Sequence, residues 1–442
     1  MNIAPATAIA SELPGRGSQK MTFRARLKIW WRELDHVLLG LIVLLMAVGC
    51  AAIAAASPAG ANRLSSDTVT LDPLFFLWAH LRWLALGITV MLGLSMLNRE
   101  TARRFAILLS LAMVGALLLV PFIGSEVNGA RRWLDVGFTF QPSEFLKPGF
   151  AVTLAWIMSW RLKDPQMPVF GLVTGALGLV IVLLMVQPNL GAAILFSGVW
   201  FVLVVLGGVS FRNIAGLIAG GFLGLSLAYA FYDNARHRID SWLSGGTDFD
   251  QVDLAQRTLL AGGWDGVGFW VGTQKMRLPE AQTDYIFSVV GEEFGLLACG
   301  GIVLLFLAMV WRVLSRVSSE ENFFALLAAA GLTAQIGGQA FINILVNLSL
   351  FPSKGMTLPL VSYGGSSTIA VCLSLGLLLA LTRRNPFLTR ETAGLRKTLF
   401  EKDFFKNNKG SPKPDEGFAI PVQAEGAISV VRVELLPVDG RN

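Results

Sequence analysis

What this chain has little of is charge. Only 15% of its 442 residues are Asp, Glu, Lys or Arg, where a soluble domain carries about 25%. With a mean hydropathy of +0.60, that shortage excludes an ordinary water-soluble domain. Cysteine and histidine are scarce too, at three each. Cys50, Cys299 and Cys372 all fall inside apolar runs, which points to buried thiols and away from disulfides. His36, His80 and His237 lie far apart, and neither HExxH nor CxxC occurs, so no zinc site is expected. A basic-aromatic stripe for nucleic acid is also missing. The basic residues sit between hydrophobic runs, so the net charge of +6 speaks to membrane topology.

Apolar sequence is abundant. Hydrophobic runs of eighteen or more residues recur, each long enough to span a bilayer as a helix. Ten spans are expected, at about 36–56, 73–97, 104–123, 145–160, 169–186, 190–209, 213–232, 284–311, 323–348 and 362–382. The first ends in "AAIAAASPAGA", which resembles a signal-peptidase site. The run is longer than a typical signal core and nine more follow, so it reads as a retained span. The expected fold class is an all-α polytopic membrane protein. Its ten-helix domain (36–384) lies between a polar, basic N-terminal tail (1–35) and a Lys-, Gly- and Pro-rich C-terminal tail (385–442). The second tail reads as mostly disordered, with "AISVVRVELLPV" able to form a short strand.

Orientation follows from the basic residues. With the N-terminus in the cytoplasm, the inner connections hold Arg99, Arg103 and Arg104; Arg161 and Lys163; Arg212; and Arg312 and Arg316. The C-terminal tail opens with Arg383 and Arg384. Every inner connection is then basic, and ten spans return the C-terminus to the same side. The outer connections are 125–147, "QPNLG" (187–191), 233–283 and "FPSKGMTLPL" (351–360). They mix both charge signs with Gly, Pro, Asn and Gln, and a loop near fifty residues is usually functional. Function is expected on the extracytoplasmic face.

Chemistry concentrates in "LPEAQTDYIFSVVGEEFG", 278–295. Thr283 is expected to cap the eighth span, with Asp284 in its first turn. The helix dipole there favours a negative charge by about 0.3–1 kcal/mol, as a general base requires; simple capping is the plainer alternative. Glu292 and Glu293 would lie roughly 12–13 Å further along the helix, where charge is costly and usually faces a bundle interior or a wet cavity. Asp284, Ser288 and Glu292 share one face at i, i+4, i+8. Glu292 is expected to line a cavity under Asp284 and Glu293 to pair elsewhere, with an interhelical bond as the alternative for each. Glu280 is a loop carboxylate near the same place. Arg131, Arg132, Lys147 and Lys354, with Glu144, lie in the outer connections. They would suit phosphates on a lipid headgroup or snorkel to ordinary lipid. "GGWDGVGFWVG" (262–272) has no βαβ context, so its glycines read as turn formers. Ser362, Gly364 and Gly365, in "SYGGSS", read as small residues that let helices approach closely.

Taken together, "NGARRWLDVGFTFQPSEFLK", "QPNLG", "GGWDGVGFWVGTQKMRLPEAQTDYIFSVVGEEFG" and "FPSKGMTLPLVSYGGSS" resemble the SEDS family (shape, elongation, division and sporulation), also called the RodA/FtsW family. The resemblance covers about 36–385. It implies a ten-span enzyme that polymerises lipid II, a disaccharide-pentapeptide on an undecaprenyl diphosphate carrier, on the outer face of the bacterial cytoplasmic membrane. It implies Asp284 as the essential catalytic residue. Gln282 stands where the family commonly has His, and Asn189, beside Gln187, where it usually has Asp. The lysine in "PSKGMTLPL" is similar to the division branch, implying septal synthesis. A single-span class B penicillin-binding transpeptidase is the implied partner. The expected reaction is inverting, with Asp284 as base and the basic groups offsetting diphosphate charge. A divalent cation, Mg or Mn, could assist, although nothing spells a metal site. Two other readings stay open: a transporter that flips lipid-linked precursor, and a non-catalytic scaffold that recruits the transpeptidase.

Overall fold

A computed structural model describes residues 22–383, apart from 66–69, 128–129, 136, 138, 165, 209–210, 233–235, 237–238, 241–250 and 353–354, together with 419–424 and 427–432. The apolar runs are helices: α1 (Phe23–Glu33), α2 (His36–Leu64), α3 (Phe75–Ser95), α4 (Arg99–Ile123), α5 (Pro142–Ser159), α6 (Val169–Val186), α7 (Leu190–Leu206), α8 (Phe211–Phe231), α9 (Gln251–Ala261), α10 (Ile286–Val317), α11 (Phe323–Asn347) and α12 (Gly365–Thr382). Each expected span coincides with one of them. Eight are long and apolar enough to cross a membrane. The other two fall short: α7 has 17 residues, and α5 is diluted by Glu144, Lys147 and two prolines.

Local chemistry sets the helix starts. Asp35 caps α2, its carboxylate accepting from the N–H groups of Val37 and Leu38 at 3.1 Å each. Asn98 caps α4 through Thr101 N–H (2.7 Å) and Asn322 caps α11 through Ala325 N–H (3.1 Å). These side chains satisfy N–H groups that have no partner within their own helix. Pro142 opens α5, where its missing N–H costs nothing.

α12 is the core of the bundle and buried almost throughout, whereas none of the described side chains of α8 is buried. Close approach between α3 and α12 depends on missing side chains. A Cβ at Gly87 would lie 2.7 Å from Cys372 Sγ, and one at Gly376 2.8 Å from the Met91 carbonyl. This is the small-residue packing that membrane helices favour.

One end of the bundle is tied by ions. Arg312 and Arg316 meet Asp35 at 2.9 and 3.1 Å. Arg99 forms a two-pronged pair with Glu320 (3.0 and 2.9 Å) and reaches the Arg383 carbonyl. Arg316 also donates to the Thr382 carbonyl at 3.0 Å. Several basic residues that mark the expected cytoplasmic side are thus clamps between helix ends.

The connections at the opposite end are more structured than the sequence suggests. Residues 125–140 form an antiparallel sheet, β1 (Ser125–Val127), β2 (Ala130–Asp135) and β3 (Thr139–Phe140), in the order β1-β2-β3. The long 233–283 connection carries α9, which buries Ala255 and Leu259 and lays Leu259 against Gly291 of α10. The C-terminal unit contains an antiparallel hairpin, β4 (Ala419–Ala424) with β5 (Ala427–Arg432). β5 is the expected alternating strand; the remainder of that tail lies outside the described residues.

Candidate functional site

Asp284 sits on a series of turns just before α10. Thr283 does not cap that helix. Its hydroxyl turns back to the Glu280 carbonyl (3.1 Å) and Glu280 Oε2 (2.8 Å), and α10 begins only at Ile286. Glu280, at φ +54°, is exposed and closes this turn. The cap comes from another helix: Asn347 Oδ1, on α11, accepts from Ser288 N–H (3.1 Å) and Ser288 Oγ (2.8 Å). Asp284 therefore precedes the first turn it was expected to occupy, while remaining beside the N-terminal end of α10.

Three segments converge on Asp284. Its carbonyl accepts from Asn343 Nδ2 (2.8 Å) and Asn347 Nδ2 (3.1 Å). Asn343 also donates to the Met356 carbonyl at 2.7 Å, binding the 355–363 loop to the same point. Ser362 Oγ donates to the Thr283 carbonyl at 2.5 Å and accepts from Leu358 N–H at 2.8 Å. Tyr363 N–H donates to the Gln282 carbonyl at 2.9 Å. The half-buried Asp284 then lines a cleft of about 220 Å³, counted with the solvent it opens to, together with Tyr285, Ile342, Asn343, Val346, Gly355 and Met356. Gly355 has φ +63°, and a Cβ there would stand 3.6 Å from Asp284 Oδ2.

Sequence reasoning passed over Asn343 and Asn347, although a signal was present. Gln335, Gln339, Asn343 and Asn347 recur every four residues, one polar stripe on an apolar helix. All four are buried. Gln339 carries the stripe to two expected site residues. Its Oε1 accepts from Lys147 Nζ (2.9 Å), and Lys147 pairs with Glu144 at 2.6 Å. Gln339 Nε2 donates to the Thr357 carbonyl at 3.0 Å, and Thr357 Oγ1 meets Ser367 Oγ at 2.7 Å. Lys147 is therefore a buried strut, only 2% exposed.

The other expected groups are spread out. Arg132 donates to the Gln187 carbonyl (3.1 Å) and to the Pro188 carbonyl. Gln187 is buried and donates to the Leu117 carbonyl, while Asn189 caps α7 through Ala192 N–H. Arg131 is exposed and 3.4 Å from Glu126. Gly364 precedes α12, and a Cβ at Gly365 would come within 2.9 Å of Trp83. Lys354 lies outside the described residues.

Glu293 pairs elsewhere, as expected, and Glu292 serves the same 262–275 loop. Glu292 is not among the residues lining the Asp284 cleft. It accepts from the N–H groups of Gln274 (2.7 Å) and Lys275 (2.9 Å). Glu293 takes the N–H groups of Trp270 and Gly272 and the Lys275 ammonium, which also donates to the Ala55 carbonyl at 2.9 Å. Both carboxylates hold the 262–275 loop onto α10. The reason is a break in α10 at Gly295 (φ 82°, ψ 173°). The freed carbonyls of Glu292 and Glu293 accept from Val267 and Gly268, while Leu296 and Leu297 donate to the carbonyls of Gly263 and Trp264. Beyond the break, Leu296–Val317 is about 33 Å long at ~1.5 Å per residue, enough to span a bilayer of ~30 Å alone. Ala55 likewise lies about 28 Å along α2 from His36. The Lys275–Glu293 pair is thus placed near the membrane boundary, not deep within it.

The cell cycle protein family model (FtsW, RodA and SpoVE) matches residues 35–386. A probable peptidoglycan glycosyltransferase FtsW of Caulobacter vibrioides is 36% identical over 367 residues, covering 83% of this chain and 93% of that protein. One from Hahella chejuensis is 34% identical over 361 residues, covering 79% and 90%. A chain from a peptidoglycan synthase complex, solved to show how polymerization and crosslinking are coordinated, superposes with TM-score 0.64 at 28% identity, covering 79% of this chain and 97% of that one. An aspartate-to-alanine mutant of the rod shape determining protein RodA from Thermus thermophilus superposes with TM-score 0.60 at 27% identity, covering 79% and 97%. With matches this extensive in sequence and in fold, the chain belongs to the FtsW/RodA/SpoVE family of cell cycle proteins.

Proposed function

We propose that the protein is a peptidoglycan glycosyltransferase that polymerises lipid II on the outer face of the cytoplasmic membrane during septal synthesis. The observation that carries this reading is the convergence of three segments on Asp284, which fixes its backbone and leaves its carboxylate at a cleft. A base held this way is placed before substrate arrives, so positioning costs little at the moment of reaction. Asp284 accepts the proton of the acceptor sugar hydroxyl as that oxygen attacks the donor's anomeric carbon. The bond to undecaprenyl diphosphate breaks with inversion, and the diphosphate carries away the electron pair.

Of the described basic groups expected at the site, Arg131, exposed on β2 beside Glu126, is the one most available to the diphosphate, because Arg132 and Lys147 hold carbonyl or amide oxygens. Magnesium or manganese would enter with the diphosphate. Among the described residues no three His, Cys, Asp or Glu side chains gather to hold a resident ion. The likeness to a chain from a synthase complex supports a crosslinking partner, which we take to be a class B penicillin-binding transpeptidase. A flippase would use ten spans with buried carboxylates as a translocation path. Glu292 and Glu293 instead hold the 262–275 loop, which favours the glycosyltransferase reading.

Purified Asp284→Asn protein should bind lipid II and make no glycan polymer. Polymer formed at the wild-type rate would overturn the assignment of the base. A scaffold would tolerate this substitution, so division arrest with normal localisation and partner binding separates the two readings.

A further inference from the structure

We infer that α1 is an anionic-phospholipid binding helix that lies on the membrane surface at the Asp35 end of the bundle. The sequence of α1, FRARLKIWWRE, carries four basic side chains against one acidic. On a helical projection Leu27, Trp30 and Trp31 fall on one face, following the i, i+3, i+4 pattern. Arg24 and Lys28 recur at i, i+4 along one border of that face, Arg26 lies on the other border, and Arg32 lies opposite. Such a helix, apolar on one side and flanked by Arg and Lys, partitions into the headgroup region.

The helix is attached to the bundle at its C-terminal end. Trp30 Nε1 donates to Ser95 Oγ at 3.1 Å, and Glu33 approaches Arg383. Two apolar side chains stay uncovered: Leu27 is 40% and Trp31 52% exposed. Arg24, Leu27, Lys28, Trp30 and Trp31 line a recess on the same side. Only Leu34 and Asp35 separate α1 from α2, whose run of apolar residues enters the bilayer. α1 is thus fixed at headgroup level, with an aromatic floor and cationic rims. Phosphate-bearing anionic lipids of the same bilayer match that combination of charge and apolar surface, with each Lys or Arg near such a membrane contributing attraction of its own. This inference is independent of the role of Asp284.

The test uses the full chain in nanodiscs of phosphatidylethanolamine alone or mixed with phosphatidylglycerol, with amide hydrogen exchange read over residues 23–33. Phosphatidylglycerol should slow exchange in α1 and leave α12 unchanged, and added salt should reverse the effect. The Arg24→Gln/Arg26→Gln/Lys28→Gln variant should lose the response, its lipid affinity falling about fivefold per charge removed. A Leu27→Ser/Trp31→Ser variant should lose protection in both lipids. Equal protection of wild-type α1 in neutral and anionic discs would overturn the inference, showing that protein contacts alone hold the helix. An unchanged response in the triple variant would overturn it as well.

Discussion

Asn347 of α11 caps α10 across the bundle: its Oδ1 takes both the N–H and the hydroxyl of Ser288, at 3.1 and 2.8 Å. Its Nδ2 donates to the Asp284 carbonyl at 3.1 Å. One amide thus decides where α10 starts and where the residue before it points. Asn347→Leu leaves the buried Ser288 hydroxyl without its acceptor, at about 1–3 kcal/mol before relaxation, while the Ser288 N–H keeps the Tyr285 carbonyl and the Asp284 carbonyl keeps Asn343. Thermal unfolding in detergent should show the loss. Glycan synthesis should fall through kcat with KM for lipid II nearly unchanged, since the substitution misplaces Asp284 and removes no substrate contact. Asn347→Asp, which keeps the acceptor and loses the donor, should fall between the two.

Lys275 and Glu293 form a pair that is almost fully buried, at 2% and 0% side-chain exposure. Removing one partner of such a pair strands the other charge, at about 3–5 kcal/mol. Lys275→Met should therefore destabilise the protein strongly. Adding Glu293→Gln should restore part of the loss, because no uncompensated charge is left and the one amide oxygen can still accept from Trp270 N–H. A double-mutant cycle on unfolding free energies checks this; additive effects would mean the pair is not coupled.

The break at Gly295 depends on two missing side chains. A Cβ at Gly295 would lie 2.1 Å from the Trp264 carbonyl oxygen, and one at Gly266 2.3 Å from that of Glu293. Both residues have φ near +80°, a conformation costly for any residue with a Cβ. Gly295→Ala and Gly266→Ala should each release the 262–275 loop, cost at least about 1–3 kcal/mol, and expose Lys275 N–H and Trp270 N–H to hydrogen exchange. Gly300→Ala, on the same helix with nothing within 4 Å, should be neutral or stabilising, since alanine is the better helix former by about 1 kcal/mol.

The spans were legible because a bilayer leaves a backbone few options, so long apolar runs must become helices. Asp284 was legible because a carboxylate stands out against such a run. Asn343 and Asn347 were harder to see: an uncharged amide barely disturbs hydropathy, and only its spacing of four betrays a shared face. The pairing of Glu293 was legible, but its loop partner and the depth of both Glu292 and Glu293 were not, because Gly295 was read as an ordinary helical residue. Without the break, a continuous helix carries them into lipid. With it, they sit at a boundary and serve a loop. The sheet at 125–140 left no pattern because its strands span only 2–6 residues.

Asp35 predicts the acid behaviour of the other end. Burial alone would raise its pKa, but the Arg312 hydrogen bonds, the Leu38 N–H and the Arg316 and Arg312 charges together hold it below the usual 3.8. A carboxyl whose folded pKa is depressed contributes stability that is complete above its unfolded pKa and is lost as pH falls through the folded one. Asp35→Asn should keep the helix cap, since Asn caps well, and lose the ion pairs. Arg312 is 38% exposed, so water screens part of the interaction and the cost at pH 7 should be about 1–3 kcal/mol. That difference between wild type and variant should hold from pH 7 down to about 4 and shrink below 3.8 as the carboxylate protonates. Melting temperatures of both proteins across this range measure it; a difference that stays constant well below that window would mean the Arg312 and Arg316 contacts do not stabilise the charged form.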